Sequence, residues 1–212
     1  GKPRPAATKF TQAEEYLEVE HPKIKAAAAL LEGSSREEMA RSAWRYVIDH
    51  MRYELQGPHR GAAYAIENGV GDCSEFSDLF VTLCRAKGIP ARRLSGLVAN
   101  FEEGQTPGHA WAEVYFPNVG WAPFDPTWGE NNAAAFDMMQ PVYLCNKYGG
   151  LGTRFKLEET FQLWYMGDPP DVDFKTTVRF PLPEELPSLG YHPPEPRDDA
   201  DGPLLETQWA GF

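Results

Sequence analysis

The stretch Gly71-Asp-Cys-Ser-Glu-Phe-Ser-Asp-Leu-Phe-Val-Thr-Leu-Cys-Arg-Ala-Lys-Gly88 carries a full set of helix signals and places a thiol in an unusual position. Asp72 fits the N-cap, Cys73 the first helical position and Glu75 the third, a D-x-x-E variant of the capping box. Phe76, Leu79, Phe80, Leu83 and Cys84 recur at helical spacing and form a single apolar stripe. Gly88 ends the helix and Pro90 prevents its restart. A structural thiol belongs in the middle of an apolar face. Cys73 instead sits on the first turn, where unpaired N–H groups and the helix dipole favour a negative sulfur. The same N–H groups are suited to receive the oxyanion of a tetrahedral intermediate.

Upstream the chain reads as helical. Ser35-Arg-Glu-Glu38 is a second capping box, opening a run in which Met39, Ala43, Trp44, Val47, Ile48 and Met51 share one face. An alanine-rich helix from Ile24 to Leu31 precedes it, starting after Pro22 and ending at Gly33. Gly57-Pro58 breaks the pattern. Downstream of Pro90 the period changes from helical to alternating. Ala91 to Ala99 reads as a strand, and His109 to Phe116 puts His109, Trp111, Glu113 and Tyr115 on one face and Ala110, Ala112, Val114 and Phe116 on the other. Pro117-Asn-Val-Gly120 turns the chain, and Trp121 to Asp125 returns. Pro141 to Cys145, Phe161 to Met166 and Phe174 to Phe180 are further strand candidates. Helices first and strands later predict an α+β fold, with N-terminal helices packed on an antiparallel sheet.

The ends of that hairpin carry a His and an Asp. A four-residue loop pairing Phe116 with Trp121 would leave Asp125 opposite Ala112, about 10 Å along the strand from His109. An Asp–His hydrogen bond therefore requires an irregularity, expected near Pro117 or Pro123, which both interrupt ladder bonding.

Charge and composition narrow the partners. The 212 residues suffice for one full-sized domain, and no apolar run approaches the ~18 residues of a membrane span. A net charge of −11 argues against nucleic acid. From Pro181 to Phe212 seven acidic residues face one Arg among seven prolines, the composition of solvated, extended chain. The expected organisation is a domain over 1–180, with a helical part 12–88 and a sheet part 89–180, followed by an acidic Pro-rich tail over 181–212. The apolar end of that tail, Leu204 to Phe212, is suited to dock on this or a neighbouring molecule and cover a cleft. Three cysteines make neither a disulfide framework nor a C-x-x-C hook. The start lacks both an initiator Met and a signal-like apolar stretch, and either a cytoplasmic or an exported address is compatible.

Gly71-Asp-Cys73, Leu83-Cys-Arg-Ala-Lys-Gly-Ile-Pro-Ala-Arg92, Gly108-His-Ala-Trp-Ala-Glu-Val-Tyr115 and Gly120-Trp-Ala-Pro-Phe-Asp-Pro-Thr127 together resemble the core of the transglutaminase-like superfamily. These are papain-like cysteine enzymes in which Cys, His and Asp follow in that order. The resemblance runs from about Trp44 to Trp128. It implies Cys73 as nucleophile, His109 as general base and acid, and Asp125 as the residue orienting the imidazole. Tyr53 resembles an aromatic position preceding the active-site loop, and it and Trp111 are candidates for the oxyanion site or the cleft. The implied reaction is thiol-dependent acyl transfer on an amide of a peptide or protein substrate, without a cofactor. Hydrolysis, in the manner of microbial cysteine proteases and amidases of this type, is expected before cross-linking to an amine, because water needs no second binding site. A binding module on the same fold is the rival, and the complete Cys/His/Asp set argues against it.

Ordinary roles compete for several residues. Cys84 and Cys145 read as structural thiols within apolar runs, and His21, His50, His59 and His192 as surface residues. Trp111, Trp121 and Trp128 either wall the cleft or cover the sheet. Asp198 to Gly202 only half resembles a calcium loop, with Arg197 at its first ligand position and no closing Glu. No metal site is expected.

Overall fold

Capping chemistry decides where the two longest helices begin in the computed structural model, which describes residues 5–98, 108–130, 136 and 143–148. The chain divides into two units, Gly1–Thr176 and Thr177–Phe212, and the first contains every described residue. The order is α1 (Pro5–Thr8), a 3-10 turn (Lys9–Thr11), α2 (Pro22–Leu30), α3 (Arg36–His50), β1 (Arg52–Tyr53), α4 (Gly61–Asn68), β2 (Val70–Gly71) and α5 (Cys73–Ala86). There follow β3 (Ala91–Val98), β4 (Gly108–Phe116), β5 (Gly120–Phe124), α6 (Pro126–Gly129) and β6 (Tyr143–Tyr148). The fold is α+β. One antiparallel sheet runs in the order β5-β4-β3-β6, and a short parallel ladder joins β1 to β2.

Both capping boxes form. Ser35 accepts from the Glu38 N–H at 3.1 Å, while the Glu38 carboxylate accepts from Ser34 and Ser35. The α3 face buried beneath is Ala40, Ala43, Trp44 and Val47, a helical stripe as expected. Asp72 and Glu75 make the reciprocal pair at the start of α5.

α5 departs from the single-stripe expectation. Every residue from Glu75 to Arg85 is buried, because α2, α3 and α4 pack around it on one side and β3 and β4 on the other. Its polar positions survive there by pairing, as buried charge must. Arg85 donates to the carbonyls of Ala91 (2.8 Å) and Gln12 (2.7 Å) and lies 2.6 Å from Glu14 Oε1. Asp78, also on α5, faces His59 and Arg93. The surface expectation for His59 is therefore overturned: its side chain is only 6% exposed, 2.5 Å from Asp78. Cys84 is fully buried, and burial pushes its thiol well above the usual range.

α4 has no counterpart in the sequence reading. It carries no side-chain cap of its own. Its first N–H groups are satisfied from far away, Ala62 by the Tyr16 carbonyl and Ala63 by Glu18 Oε2, both at 2.9 Å. Gly69, with φ 67°, closes its far end. Strand candidates 161–166 and 174–180, the acidic tail, His192 and the Cys145 side chain lie outside the described residues.

Candidate active site

The Gly-Asp-Cys run is shaped by packing as well as by capping. Asp72 Oδ1 accepts the Ser74 N–H at 2.9 Å, and the side chain also takes the Glu75 N–H. The Asp72 carbonyl receives Phe76 N–H. Of the first-turn donors this leaves the N–H of Cys73 itself uncommitted among the described residues, so the expected oxyanion donors narrow to one backbone group. Glu75, wholly buried, accepts Asp72 N–H (3.1 Å) and Arg60 N–H (2.9 Å). Burial raises its carboxyl above the usual range against the pull of those two donors. Gly71 is required by this neighbour, since a Cβ there would stand 2.3 Å from Glu75 Cβ.

The sheet delivers the other side chains. The β4–β5 register pairs Phe116 with Gly120 and Ala112 with Phe124, one residue away from the simplest expectation. A three-residue turn accounts for it. Val119 N–H closes onto the Phe116 carbonyl at 3.1 Å, and Gly120 takes φ 92°, the left-handed residue that three-residue hairpins use. The irregularity thus lies in the turn, and Pro123 stays in register opposite Glu113. The offset between Asp125 and His109 falls from three residues to two, about 7 Å. The chain also leaves the ladder at Asp125, which becomes the N-cap of α6 and accepts Thr127 N–H on Oδ1 at 3.0 Å. Its Oδ2 lies 2.6 Å from His109 Nε2.

With Nε2 committed to Asp125, Nδ1 is the ring nitrogen left to face Cys73, whose thiol is near enough to act on the imidazole. Burial by itself would lower the imidazole pKa. The bond to Asp125, the neighbouring Cys73 and the negative field of both more than reverse this, and it rises to about 9. At neutral pH His109 is therefore held as a cation between two acidic groups.

The remaining candidates take distinct places. Tyr53 is 43% exposed. Burial raises its phenol pKa, as do the nearby Cys73, Asp72 and Glu130. Trp111 is 2% exposed, its ring lying 6.3 Å from that of His109 with planes 16° apart, so it backs the imidazole and does not line an open wall. The other two tryptophans take different environments. Trp121 packs against Phe10 and Tyr115 with Arg92 over its ring, while Trp128 on α6 is half exposed. Glu130 was not legible in the sequence: its carboxylate accepts the Tyr53 N–H across 77 positions. No group of three or more His, Cys, Asp or Glu among the described residues is arranged to hold a metal ion. No helix among them is long and apolar enough to cross a membrane.

Comparison with known proteins places this geometry in context. Residues 25–126 match the family model of the transglutaminase-like superfamily. The Bacillus subtilis (strain 168) protein YebA is 36% identical over 85 residues, 34% of this chain and 12% of that protein. A Pseudomonas aeruginosa protein-glutamine gamma-glutamyltransferase is 29% identical over 100 residues, 40% of this chain and 14% of that protein. The chain thus spans only about an eighth of the length of these relatives. Among solved structures, one from Cytophaga hutchinsonii named as a cysteine protease superposes with a TM-score of 0.50 at 23% identity. It covers 58% of this chain and 43% of its own, and the likeness is one of fold.

Proposed function

We propose that this chain, residues 25–126 of which match the family model of the transglutaminase-like superfamily, catalyses cysteine-dependent acyl transfer on amide bonds, with hydrolysis of a peptide or isopeptide bond as its reaction. The observation that carries the reading is the placement of His109 between Asp125 and Cys73 at the N-terminus of α5. Cys73 Sγ attacks the amide carbonyl carbon and a C–S bond forms. The Cys73 N–H, with the Tyr53 phenol as a second candidate donor, receives the oxyanion. As the C–N bond breaks, His109 gives its proton to the departing amine and an acyl-thioester remains. His109 then takes a proton from water, which attacks the thioester, releases the acid and restores the thiol. Asp125 holds the imidazole in the tautomer that presents Nδ1 to sulfur and stabilises its cationic form.

Transamidation is the second reading, favoured by the identity to the Pseudomonas gamma-glutamyltransferase. In it a primary amine replaces water in the last step. One experiment separates the two. Peptides containing backbone, glutamine side-chain and γ-glutamyl–lysine amides are incubated with the protein, with and without added primary amine, and products are identified by mass spectrometry. Hydrolysis gives acid products whether or not the amine is present, and transamidation gives amine adducts. Absence of any Cys73 thioester on acid quench, with product formation unchanged in Cys73→Ala, overturns both.

A further inference from the structure

The candidate triad is assembled from two parts of the chain that meet through the packing of α5 on β4 and α6, and a side chain outside the triad adds a further tie between them. Cys73 comes from α5, preceded by β2, whereas His109 and Asp125 come from β4 and the start of α6. Glu130 follows directly after α6, and its Oε1 accepts the Tyr53 N–H at 2.7 Å. Tyr53 lies opposite Gly71 in the two-residue β1–β2 ladder, with Glu54 N–H bonded to the Gly71 carbonyl at 2.9 Å. Gly71 is two residues before Cys73. A path of few bonds therefore runs from the end of α6 to the residues that aim the thiol.

α6 packs against α3, α5 and β4 but has little hydrogen bonding of its own. It is a four-residue turn, and the Glu130 N–H reaches the Thr127 carbonyl only at 3.4 Å. On one side Gly129 lies flat against Trp44, where a Cβ would come within 2.4 Å of the ring. On the side facing β1, the carboxylate of Glu130 is the hydrogen-bonded tie. The bond is exposed to solvent and contributes little to global stability, yet it spans the two parts that have to meet.

We propose that Glu130 is a positioning residue that sets the separation between the His109–Asp125 pair and Cys73 by anchoring α6 to β1. The inference rests on the triad reading above. Glu130 also bears a charge toward Tyr53, so its test has to separate geometry from field. Glu130→Gln keeps an oxygen acceptor for Tyr53 N–H and removes the charge, and Glu130→Ala removes both.

Two probes suffice: the rate of Cys73 alkylation by iodoacetamide at neutral pH, resolved by mass spectrometry, and the His109 titration midpoint by NMR. The expected result is Glu130→Gln within about twofold of wild type. Glu130→Ala is expected to slow by roughly tenfold or more, as misplacement of reacting groups does, with a lowered His109 midpoint and an almost unchanged melting temperature. Should Glu130→Ala fail to fold, Glu130→Asp, one methylene shorter, takes its place. Wild-type rate and midpoint in that variant overturn the proposal, and so does a Glu130→Gln protein as impaired as Glu130→Ala, which assigns the effect to charge. If His109→Ala leaves Cys73 alkylation unchanged in an otherwise wild-type chain, it is the triad reading that fails.

Discussion

Replacing Asp125 by Asn tests the electrostatic core of the candidate site. In the folded protein the His109 imidazole titrates at about 9, against an ordinary value of 6.5. That difference, 9 − 6.5, corresponds to about 3 kcal/mol favouring the cation at a side chain only 13% exposed. Its sign follows from proton linkage. Between pH 6.5 and about 9 the native state binds the proton and the unfolded chain does not, so stability falls as pH rises through this window. The contribution is fully present below 6.5 and lost above 9. In Asp125→Asn, burial still opposes the charge while the strongest compensating partner is gone, so the midpoint drops by about 1–3 units. The assay is the pH titration of imidazole carbon resonances in 13C-histidine-labelled protein, with His109 assigned by its loss in His109→Gln. Guanidinium unfolding at pH 6 and pH 10 is the thermodynamic counterpart. Wild type is expected to lose up to about 3 kcal/mol between them on account of this group, and Asp125→Asn much less. A wild-type midpoint near 6.5, or one that Asp125→Asn leaves in place, would refute the reasoning.

Two further substitutions probe the scaffold. Gly71→Ala forces a Cβ to within 2.3 Å of Glu75 Cβ, a contact no side-chain rotation relieves. It is expected to cost about 1–3 kcal/mol in denaturant unfolding and to slow Cys73 alkylation, because the start of α5 has to shift. Arg85→Ala strands the Glu14 carboxylate and the carbonyls of Gln12 and Ala91 that the guanidinium serves. Thermal unfolding is expected to show a loss of about 3–5 kcal/mol, and an unchanged melting temperature would show that the Arg85 network carries none of the core's stability.

What could be read along the chain and what could not divides by the range of the interactions involved. The capping boxes of α3 and α5, the apolar stripe on α3 and the alternation of β4 are satisfied by residues within four positions of one another. Periodicity and cap chemistry record them directly, and with them the order Cys73, His109, Asp125 and the α+β fold. The β4–β5 register is not fixed at that range, because it depends on Gly120 adopting a left-handed φ, which a glycine permits but does not require. α4 is capped by Tyr16 and Glu18, more than forty positions away, so its own residues hold no start signal. His59 becomes a buried residue only because Asp78 and Arg93 arrive from α5 and β3. Glu130 meets Tyr53 across 77 positions. Local chemistry specified the pieces and the candidate site residues. Whether the thiol, the imidazole and the carboxylate come within bonding distance was decided by long-range packing, because hydrogen bonds between distant segments exist only once α5 is enclosed and the sheet has set its register.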